Sequence, residues 1–306
     1  MKAVVYQKYG PPSVLKVTAI EKPIPKDHEI LVRIRAATVT SGDVRLRSSD
    51  FPPLFWLPAR LIFGLFKPKK KILGHELSGV VEGKGKKVTN FKIGDEVFGT
   101  TTMLSIGSYA EYVCLPQQWK HGVIALKPTN LNFKEAAALP IGGMTALFLL
   151  EKAKISKGKN VLVYGASGSV GSFAVQIAKS FGSSVTAVCS TSNIDMVKSL
   201  GADEVVDYTK EEYTLLKDKF DIVFDAVGKT TKSKAKKVLK NDGVFVSVNM
   251  LTKEKNENLL KLKELAEGEK LKPYIDTYYP LEKIVSAHTY VDQGHKKGNV
   301  VIDIIA

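Results

Sequence analysis

A histidine followed by a glutamate, His75 and Glu76, gives the stretch ILGHELSG over residues 72–79 the potential for chemistry. An imidazole can bind a metal, transfer a proton near neutral pH or simply pack in a core. A catalytic zinc ion needs three protein ligands, so one histidine does not define a metal site. The role of His75 therefore depends on the residues that the rest of the chain brings beside it.

A glycine-rich segment, GASGSVG over residues 165–171, follows an apolar strand pattern and precedes a helical pattern. Glycines allow the backbone to turn tightly and to approach a pyrophosphate, and the helix N-terminus presents unpaired N–H groups. A strand, this loop and a helix in one unit of about thirty residues form the setting of a dinucleotide-binding motif. A tight structural turn without a ligand is the alternative.

The end of the next strand lacks the acidic residue that NAD-preferring sites place there to hold the ribose hydroxyls. Residues 190–193 read STSN, so no carboxylate would repel a 2′-phosphate and small hydroxyl groups can bind one. The candidate contacts are Ser190, Thr191, Asn193 and, at the end of the following strand, Tyr208. We therefore expect NADPH rather than NADH, although residues 190–193 can also cap the next helix.

The secondary-structure elements that must position these residues lie in two regions of the chain, which differ in their sequence patterns. Residues 1 to about 125 contain short strands separated by Pro and Gly, which is typical of antiparallel β-structure. Residues from about 126 to 258 alternate apolar strands with helices, which indicates βαβ units and a parallel sheet. The tail from 259 returns to mixed elements, and it either forms a separate cap or rejoins the first domain. The predicted helices are 169–181, 193–200, 210–218, 230–240 and 281–294, and the predicted terminal strand is 299–305.

The composition restricts the class of protein. The 306 residues are 44% hydrophobic and 25% charged, which is ordinary for a globular protein of one or two domains. Two cysteines, Cys114 and Cys189, exclude a disulfide framework and a multi-thiolate zinc lobe. There is no apolar window of about twenty residues, and the first residues read as a strand, so we expect a cytoplasmic protein. The net charge of +14 favours anions, but no nucleic-acid-binding signature accompanies it, and we expect no nucleic-acid partner.

Several segments carry a resemblance when they are taken in order. They are GHELSGVV (74–81), VTNFKIGDEVFG (88–99), AALP (137–140), GMTA (143–146), GASGSVG, LGADEVVDY (200–208), FDIVFDAVG (220–228) and LEKIVSAHTYVDQGHKKGNVVI (281–302). Together they resemble the medium-chain dehydrogenase/reductase superfamily, specifically its zinc-free quinone oxidoreductase (zeta-crystallin-like) branch, and the resemblance covers nearly the whole chain.

The resemblance implies an α/β protein: a GroES-like, mainly antiparallel β catalytic domain from residues 1–125 and 259–306, and a Rossmann domain with a doubly wound parallel sheet from 126–258. It also implies an active site in the cleft and, commonly, a homodimer.

The resemblance also tests the zinc hypothesis. Zinc-dependent members have a Cys shortly before an Asp, the His of Gly-His-Glu, and a third ligand before the Thr-containing segment. Those positions correspond here to Thr40, His75 and about Ile141. Threonine is a poor zinc ligand and isoleucine has no donor atom, so we expect no metal site.

The same resemblance implies the remaining site residues. On the substrate side these are Thr40, Asp43, Arg45 and His75, although Thr40 and Asp43 are equally well explained as a helix-capping pair. Arg45 and Phe51 stand where many quinone oxidoreductases of this type carry tyrosines. The implied cofactor contacts are Thr145 near the nicotinamide, Gly165, Ser167, Gly168, Ser169, Val170 and Gly171 at the pyrophosphate, Val227, Ser247 and Asn249 at the ribose, and Lys297 with Asn299 from the tail.

The chemistry follows from the missing metal. Hydride exchange with a simple alcohol would lose its Lewis acid, whereas an enone, enal or quinone delocalises the added charge. We therefore expect NADPH-dependent reduction of a small apolar electrophile, a quinone or an activated C=C bond, by direct hydride transfer. A zinc-dependent alcohol dehydrogenase and a non-enzymatic NADPH-binding protein are the alternatives, which turnover assays and metal analysis would distinguish.

An apolar segment at residues 51–71, FPPLFWLPARLIFGLFKPKKK, is longer than expected between the first helix and Gly74. It is too short to span a membrane, and we expect Pro58 and Gly64 to interrupt a helix. One interpretation, which we favour from the sequence, is a hydrophobic lid over the substrate site. The other is a weak membrane-surface contact, with aromatic residues inserted and the Lys run facing anionic lipid.

Overall fold

The computed structural model describes residues 1–304, with Leu54 described by its backbone alone. Two residues lie outside the described part of the chain. The sequence analysis predicted that Ile305 belongs to the terminal strand and that Ala306 belongs to the first domain. The strands are β1 (Lys2–Val5), β2 (Lys16–Ala19), β3 (Glu29–Thr38), β4 (Glu76–Lys84), β5 (Glu96–Thr100), β6 (Tyr112–Pro116), β7 (Ile124–Leu126), β8 (Asn160–Tyr164), β9 (Ser184–Cys189), β10 (Glu204–Asp207), β11 (Phe220–Asp225), β12 (Leu239–Ser247), β13 (Ile275–Pro280) and β14 (Asn299–Asp303). The α-helices are α1 (Ser41–Ser48), α2 (Pro53–Phe63), α3 (Phe133–Ala137), α4 (Pro140–Lys152), α5 (Ser169–Ser180), α6 (Ile194–Ser199), α7 (Lys232–Lys236), α8 (Asn256–Glu267) and α9 (Ile284–Asp292).

The first compact unit contains Met1–Pro140 and the chain from Ile275. Its main sheet has the order β13-β14-β3-β4-β5-β7, and β6 also pairs with β3. All of these pairs are antiparallel except β13 with β14. Side chains of β3 such as Ile30, Val32 and Ile34 are fully buried in the core. The predicted mainly antiparallel sheet is confirmed, and the unit that contains it takes in both the N-terminal part of the chain and the residues from Ile275.

The second unit, Ile141–Tyr274, is built on a five-stranded sheet of order β10-β9-β8-β11-β12. All four strand pairs are parallel. Apolar runs such as Val161, Leu162 and Val163 are completely buried, as expected for a parallel sheet covered on both faces. The strand order reverses between β8 and β11, which is where a Rossmann fold binds its dinucleotide.

The bounds of the two units differ from the predicted boundaries at 125 and 258. Residues 126–140 group with the first unit because α3 packs against β3 and β4 of its sheet. Residues 259–274 group with the second unit, where α8 buries Leu259 and Leu262.

Two predicted helices of the second unit were wrong in extent. The helix expected at 210–218 is only a single 3-10 turn, Tyr213–Leu215, because Asp207 organises the preceding residues as a turn that buries Tyr213. The helix expected at 230–240 is reduced to α7, capped by the hydroxyl of Thr231, since Leu239 already begins β12. Helix α5 agrees with its prediction, burying an apolar face that includes Phe173, Ala174 and Ile177.

The apolar segment at 51–71 was also expected to be interrupted at Pro58. Instead Pro58 lies inside α2, which ends at Gly64. A proline removes one backbone donor from a helix, and the other turns of α2 remain. Among the described residues, no helix combines the length and apolar character needed to cross a membrane.

Candidate functional site

His75 is paired with Asp43, and this pair forms the centre of the first unit's candidate site. The Nδ1 atom of His75 lies 2.8 Å from Oδ1 of Asp43. Asp43 is completely buried, whereas the His75 side chain is 18% exposed. Because the carboxylate accepts the Nδ1 hydrogen, it fixes the orientation of the ring and directs the chemistry of the imidazole to Nε2.

The Asp43 carboxylate accepts hydrogen bonds on both oxygens. Oδ1 also accepts from the backbone N–H of Gly74 at 2.9 Å, while Oδ2 accepts from the N–H and the hydroxyl of Thr40 at 2.9 and 2.6 Å. Burial by itself would raise the pKa of Asp43, but the His75 imidazole and the Thr40 donors outweigh burial and hold that pKa well below its usual value. Asp43 is therefore a fixed negative charge that orients the His75 ring.

Thr40 and Asp43 also form the capping box of α1. The Thr40 hydroxyl accepts a hydrogen bond from the backbone N–H of Asp43 at 3.0 Å, and the Asp43 carboxylate accepts one from the backbone N–H of Thr40. The structural interpretation of this pair is thus correct, and the carboxylate reaches His75 in addition. Since the hydroxyl hydrogen of Thr40 is donated to Asp43, Thr40 is a positioning residue and does not have that proton available for a substrate.

The structure does not bring Arg45 to this cluster. Its side chain is exposed on α1 and has no hydrogen bond to Thr40, Asp43 or His75 in the described part of the chain. Two residues further on, Arg47 is buried and donates to Asp292 at 2.9 Å and to Nδ1 of His288 at 3.2 Å. The arginine that the sequence singled out therefore faces solvent, while its neighbour ties α1 to α9.

The donors that the first unit brings to His75 do not fit a catalytic zinc ion. Nδ1 of His75 is bound to Asp43, and the Thr40 hydroxyl lies within the capping box. Ile141, which the sequence resemblance aligned with the third ligand position, has no donor atom in its side chain. Within residues 1–304, no group of three or more His, Cys, Asp or Glu side chains is arranged to hold a metal. Tetrahedral zinc coordination would require ligands that these positions do not supply.

The glycine loop lies between β8 and α5, and two of its glycines are required by packing. A Cβ on Gly171 would lie 2.2 Å from the carbonyl oxygen of Gly165, and Gly165 itself has φ +78° with Val227 against it. A Cβ on Gly168, the N-cap of α5, would meet only the Gly165 oxygen at 3.6 Å. Gly165 and Gly171 therefore allow strand and helix to pack closely, and Gly168 leaves open space beside the N-terminus of α5, the place where a pyrophosphate binds.

Polar side chains gather at the end of β9. The amide nitrogen of Asn193 donates to the hydroxyls of Ser167 at 3.0 Å and Ser190 at 3.1 Å. The Oδ1 atom of Asn193 is buried and has no partner among the described residues. Such an orphaned acceptor fits a cofactor that brings a donor, such as a ribose hydroxyl. The residues around it meet the requirements of a dinucleotide site.

An acidic residue missed by sequence reasoning lies next to this cluster. Asp207 ends β10, in register with Cys189 of β9, and it accepts hydrogen bonds from Thr191 at 2.5 Å and from the Thr209 hydroxyl at 2.7 Å. These bonds, led by that of Thr191, lower the pKa of Asp207 to about 2. The hydroxyl hydrogen of Thr191 is therefore donated to Asp207, and its role as a cofactor contact stays a prediction. Asp207 lies beside this cluster because β9 and β10 are paired, with Asp207 opposite Cys189.

A second missed residue, Asp225, shapes the loop after β11. Its Oδ1 accepts from the backbone N–H groups of Val227 at 3.2 Å and Gly228 at 2.9 Å, and its Oδ2 accepts from Ser247 at 3.0 Å. The hydroxyl of Ser247 also accepts from the N–H of Asn249 at 3.3 Å. Asp225 thus holds two of the predicted ribose contacts directly, Val227 and Ser247, and the third, Asn249, through Ser247. Its position after a buried strand, in FDIVFDAVG, was the signal that could have identified it.

The other predicted cofactor residues are spread over both units. Thr145 is half-buried on α4, and Tyr208 is 54% exposed just beyond β10. Lys297 belongs to the first unit, where its backbone N–H donates to Asp276 at 2.8 Å. Asn299 is buried at the start of β14. Ser167, Ser190 and Asn193 are in hydrogen-bond contact, whereas Asn299 is too buried to offer a free surface.

Comparison with known proteins agrees with this geometry. Residues 26–127 match the alcohol dehydrogenase GroES-like domain, and residues 169–271 and 247–302 match profiles described as zinc-binding dehydrogenase. A 2-methylene-furan-3-one reductase of Solanum lycopersicum is 38% identical over 99% of this chain and 79% of its own length. The NADPH-dependent alkenal/one oxidoreductase of Arabidopsis thaliana is 34% identical with the same coverage. The solved quinone oxidoreductase of Coxiella burnetii superposes with a TM-score of 0.88 at 30% identity, covering 100% of this chain and 99% of that one.

The order of the two sheets, the glycine loop at the switch point and the similarity along the full chain lead to one assignment. The chain belongs to the medium-chain dehydrogenase/reductase superfamily and is an oxidoreductase of its quinone oxidoreductase branch.

Proposed function

We propose that this protein uses NADPH to reduce an activated C=C bond of an enone or enal, or a quinone, by direct hydride transfer and without a metal. The observation that carries the proposal is the His75–Asp43 pair, with 2.8 Å between the ring and the carboxylate and the Thr40 hydroxyl bonded to the same carboxylate. The similarity to an alkenal/one oxidoreductase and to a methylene-furanone reductase supports the substrate class.

His75 is the residue that handles the proton. Bound NADPH would supply a hydride to the electron-poor carbon of the substrate. The electron pair of the C=C bond then moves toward the carbonyl oxygen, and a protonated His75 donates its Nε2 hydrogen to the resulting oxyanion. Asp43 supports this step by binding Nδ1 and holding the ring, so that the proton to be transferred is the one on Nε2. The neutral imidazole regains a proton from solvent after the product leaves.

The preference for NADPH rests on the end of β9. The hydroxyl groups of Ser167 and Ser190 accept hydrogen bonds from Asn193, and exposed Tyr208 donates its backbone N–H to the carbonyl of Cys189 at the end of β9. The register of β9 and β10 also brings the Asp207 carboxylate near, and its oxygens accept hydrogen bonds from Thr191 and Thr209. Asp207 stays ionised, so the preference for a 2′-phosphate rests on the hydroxyl donors of Ser167 and Ser190.

The proposal is tested by following NADPH oxidation with a panel of enones, alkenals, quinones and simple alcohols. Deuterium placed at C4 of the nicotinamide should appear on the electrophilic carbon of an enone product, as direct hydride transfer requires. Metal analysis of the purified active protein should find no stoichiometric zinc, and chelators should leave turnover unchanged. Turnover restricted to alcohols, or lost with zinc removal, would overturn the proposal. Binding of NADPH without turnover of any substrate would assign the protein a non-enzymatic role.

Two further expectations stay predictions. A homodimer is common in such families, and sedimentation velocity of the purified protein measures it. A cytoplasmic location follows from the sequence expectation, and fractionation of cells expressing the tagged chain tests it.

A further inference from the structure

The surface of the first unit carries a large apolar patch around α2. Phe66 is 90% exposed, Phe55 62% and Leu61 58%. Single exposed apolar residues are common, but seven of them within twelve residues of sequence are unusual for a protein that exposes this face only to water. We call this set the α2 patch; its members are Phe55, Trp56, Leu57, Leu61, Ile62, Leu65 and Phe66.

The α2 patch is held in a defined conformation by the opposite side of the helix. The Arg60 guanidinium lies 4.1 Å from the centroid of the Tyr9 ring and donates to the Ser49 hydroxyl at 3.1 Å. Phe63 stacks on Phe51 with ring centroids 6.1 Å apart, and the Tyr9 hydroxyl donates to the Phe63 carbonyl at 3.0 Å. The exposed side chains are therefore presented on an anchored helix, so docking them would not require the helix to fold.

The charged side chains of the segment that contains the α2 patch have a single sign, and exposed Asp50 lies just before this segment. Residues 51–75 contain one arginine and four lysines, at 67 and 69–71, and no aspartate or glutamate. Lys69 donates to the Leu61 carbonyl at 3.0 Å at the end of the helix, and Lys67 and Lys71 are exposed. An apolar helix face with aromatic residues and adjacent lysines has the composition of a segment that lies in the interface of an anionic bilayer.

We propose that the α2 patch docks the protein on the surface of membranes that contain anionic phospholipid. Aromatic and aliphatic side chains would enter the boundary between headgroups and acyl chains, and the lysines would contact lipid phosphates. A second copy of the chain fits less well, because pairing two such patches would bring two all-basic segments together. A substrate lid needs an apolar face but gives no reason for the lysine run.

Co-sedimentation of the full chain with vesicles provides the test. Binding is compared between phosphatidylcholine vesicles and vesicles containing about 30 mol% phosphatidylserine. We expect binding to the anionic vesicles only, weakened as salt rises because the lysine contribution is screened. The fluorescence of Trp56 should shift to shorter wavelength on binding, and W56F, which retains Trp119, should lose this shift.

Matched variants separate the patch from the general basic surface. L61S/F66S should lower the vesicle partition coefficient about tenfold or more, because two large apolar side chains no longer leave water. I24S, which alters an isolated residue of similar exposure, should leave it unchanged. K67E/K71E should reduce binding about tenfold or more, whereas K86E/K92E, with the same change in net charge, should have a much smaller effect.

Three results would overturn the proposal. The first is the absence of vesicle binding by the unaltered protein, and the second is equal loss of binding in L61S/F66S and in I24S. The third is a concentration-dependent dimer that L61S/F66S abolishes without any vesicle binding, which would assign the patch to a second copy. Reduced turnover of L61S/F66S in the absence of vesicles, together with no binding by the parent, would assign it to a lid. The vesicle assay needs no substrate, so its outcome is independent of the proposed reaction.

Discussion

The pairing of Asp43 with His75 is tested most directly by D43N, which keeps the shape of the side chain and removes its charge. In the native protein both carboxylate oxygens accept backbone N–H groups, Gly74 on one side and Thr40 on the other, each at 2.9 Å. An asparagine has one oxygen, so its amide nitrogen must face one of these two buried donors. An unsatisfied buried donor, together with the loss of charge-assisted bonds, costs about 3 kcal/mol.

We therefore expect urea denaturation at pH 7 to show that D43N lowers the free energy of unfolding by about 3 kcal/mol. D50N, which removes a charge from an exposed aspartate just beyond the same helix, is the control. Because the folded pKa of Asp43 lies below its unfolded value of 3.8, the contribution is fully present above that pH. It is lost as the pH falls from there toward the folded pKa, so the difference between the proteins should shrink in acid.

The same substitution has a kinetic consequence. Without the carboxylate, His75 loses the bond that fixes its ring orientation, so kcat should fall about tenfold to a hundredfold. Nitrogen-15 NMR of labelled histidine should show that Nδ1 of His75 no longer carries its hydrogen as the dominant neutral tautomer. If D43N unfolds within about 0.5 kcal/mol of the native protein at pH 7, the hydrogen bonds assigned to Asp43 do not have the energetic role described.

Four other substitutions test separate parts of the site. H75A should lower kcat about a hundredfold in assays with enones while the NADPH dissociation constant stays unchanged, and an unaltered kcat/KM would leave the histidine only a packing role. G171A should lower the free energy of unfolding by about 2 kcal/mol or more in urea, because the new methyl meets the Gly165 carbonyl. G168A should keep that stability but weaken NADPH binding by calorimetry, since its methyl points into open space at the helix N-terminus; equal behaviour of the two would contradict the packing described. S190D should raise the NADPH dissociation constant about tenfold and spare that of NADH, and parallel loss of both would refute the assigned 2′-phosphate contact.

Much of the fold was predictable because it depends on local pattern. Alternating short strands and turns before residue 125, and apolar strands alternating with helices after it, identified the antiparallel and parallel sheets. The glycine loop was recognisable because its strand, turn and helix are contiguous in sequence. The helix near 210 could not be predicted correctly, because the Asp207 carboxylate and carbonyl organise this segment as a turn.

The sequence by itself determined which chemical groups this protein possesses: an imidazole after Gly74, a glycine loop for a dinucleotide, and residues at positions 40 and 141 that do not suit zinc. Only the tertiary structure decided which of those groups meet. Asp43 reaches His75, 32 residues away, because α1 and the start of β4 converge on one buried carboxylate. Thr191 is bound by Asp207 because β9 and β10 are paired in register. Contacts between distant residues depend on strand register and helix packing, and these arise from burial of the whole core rather than from any short stretch of sequence.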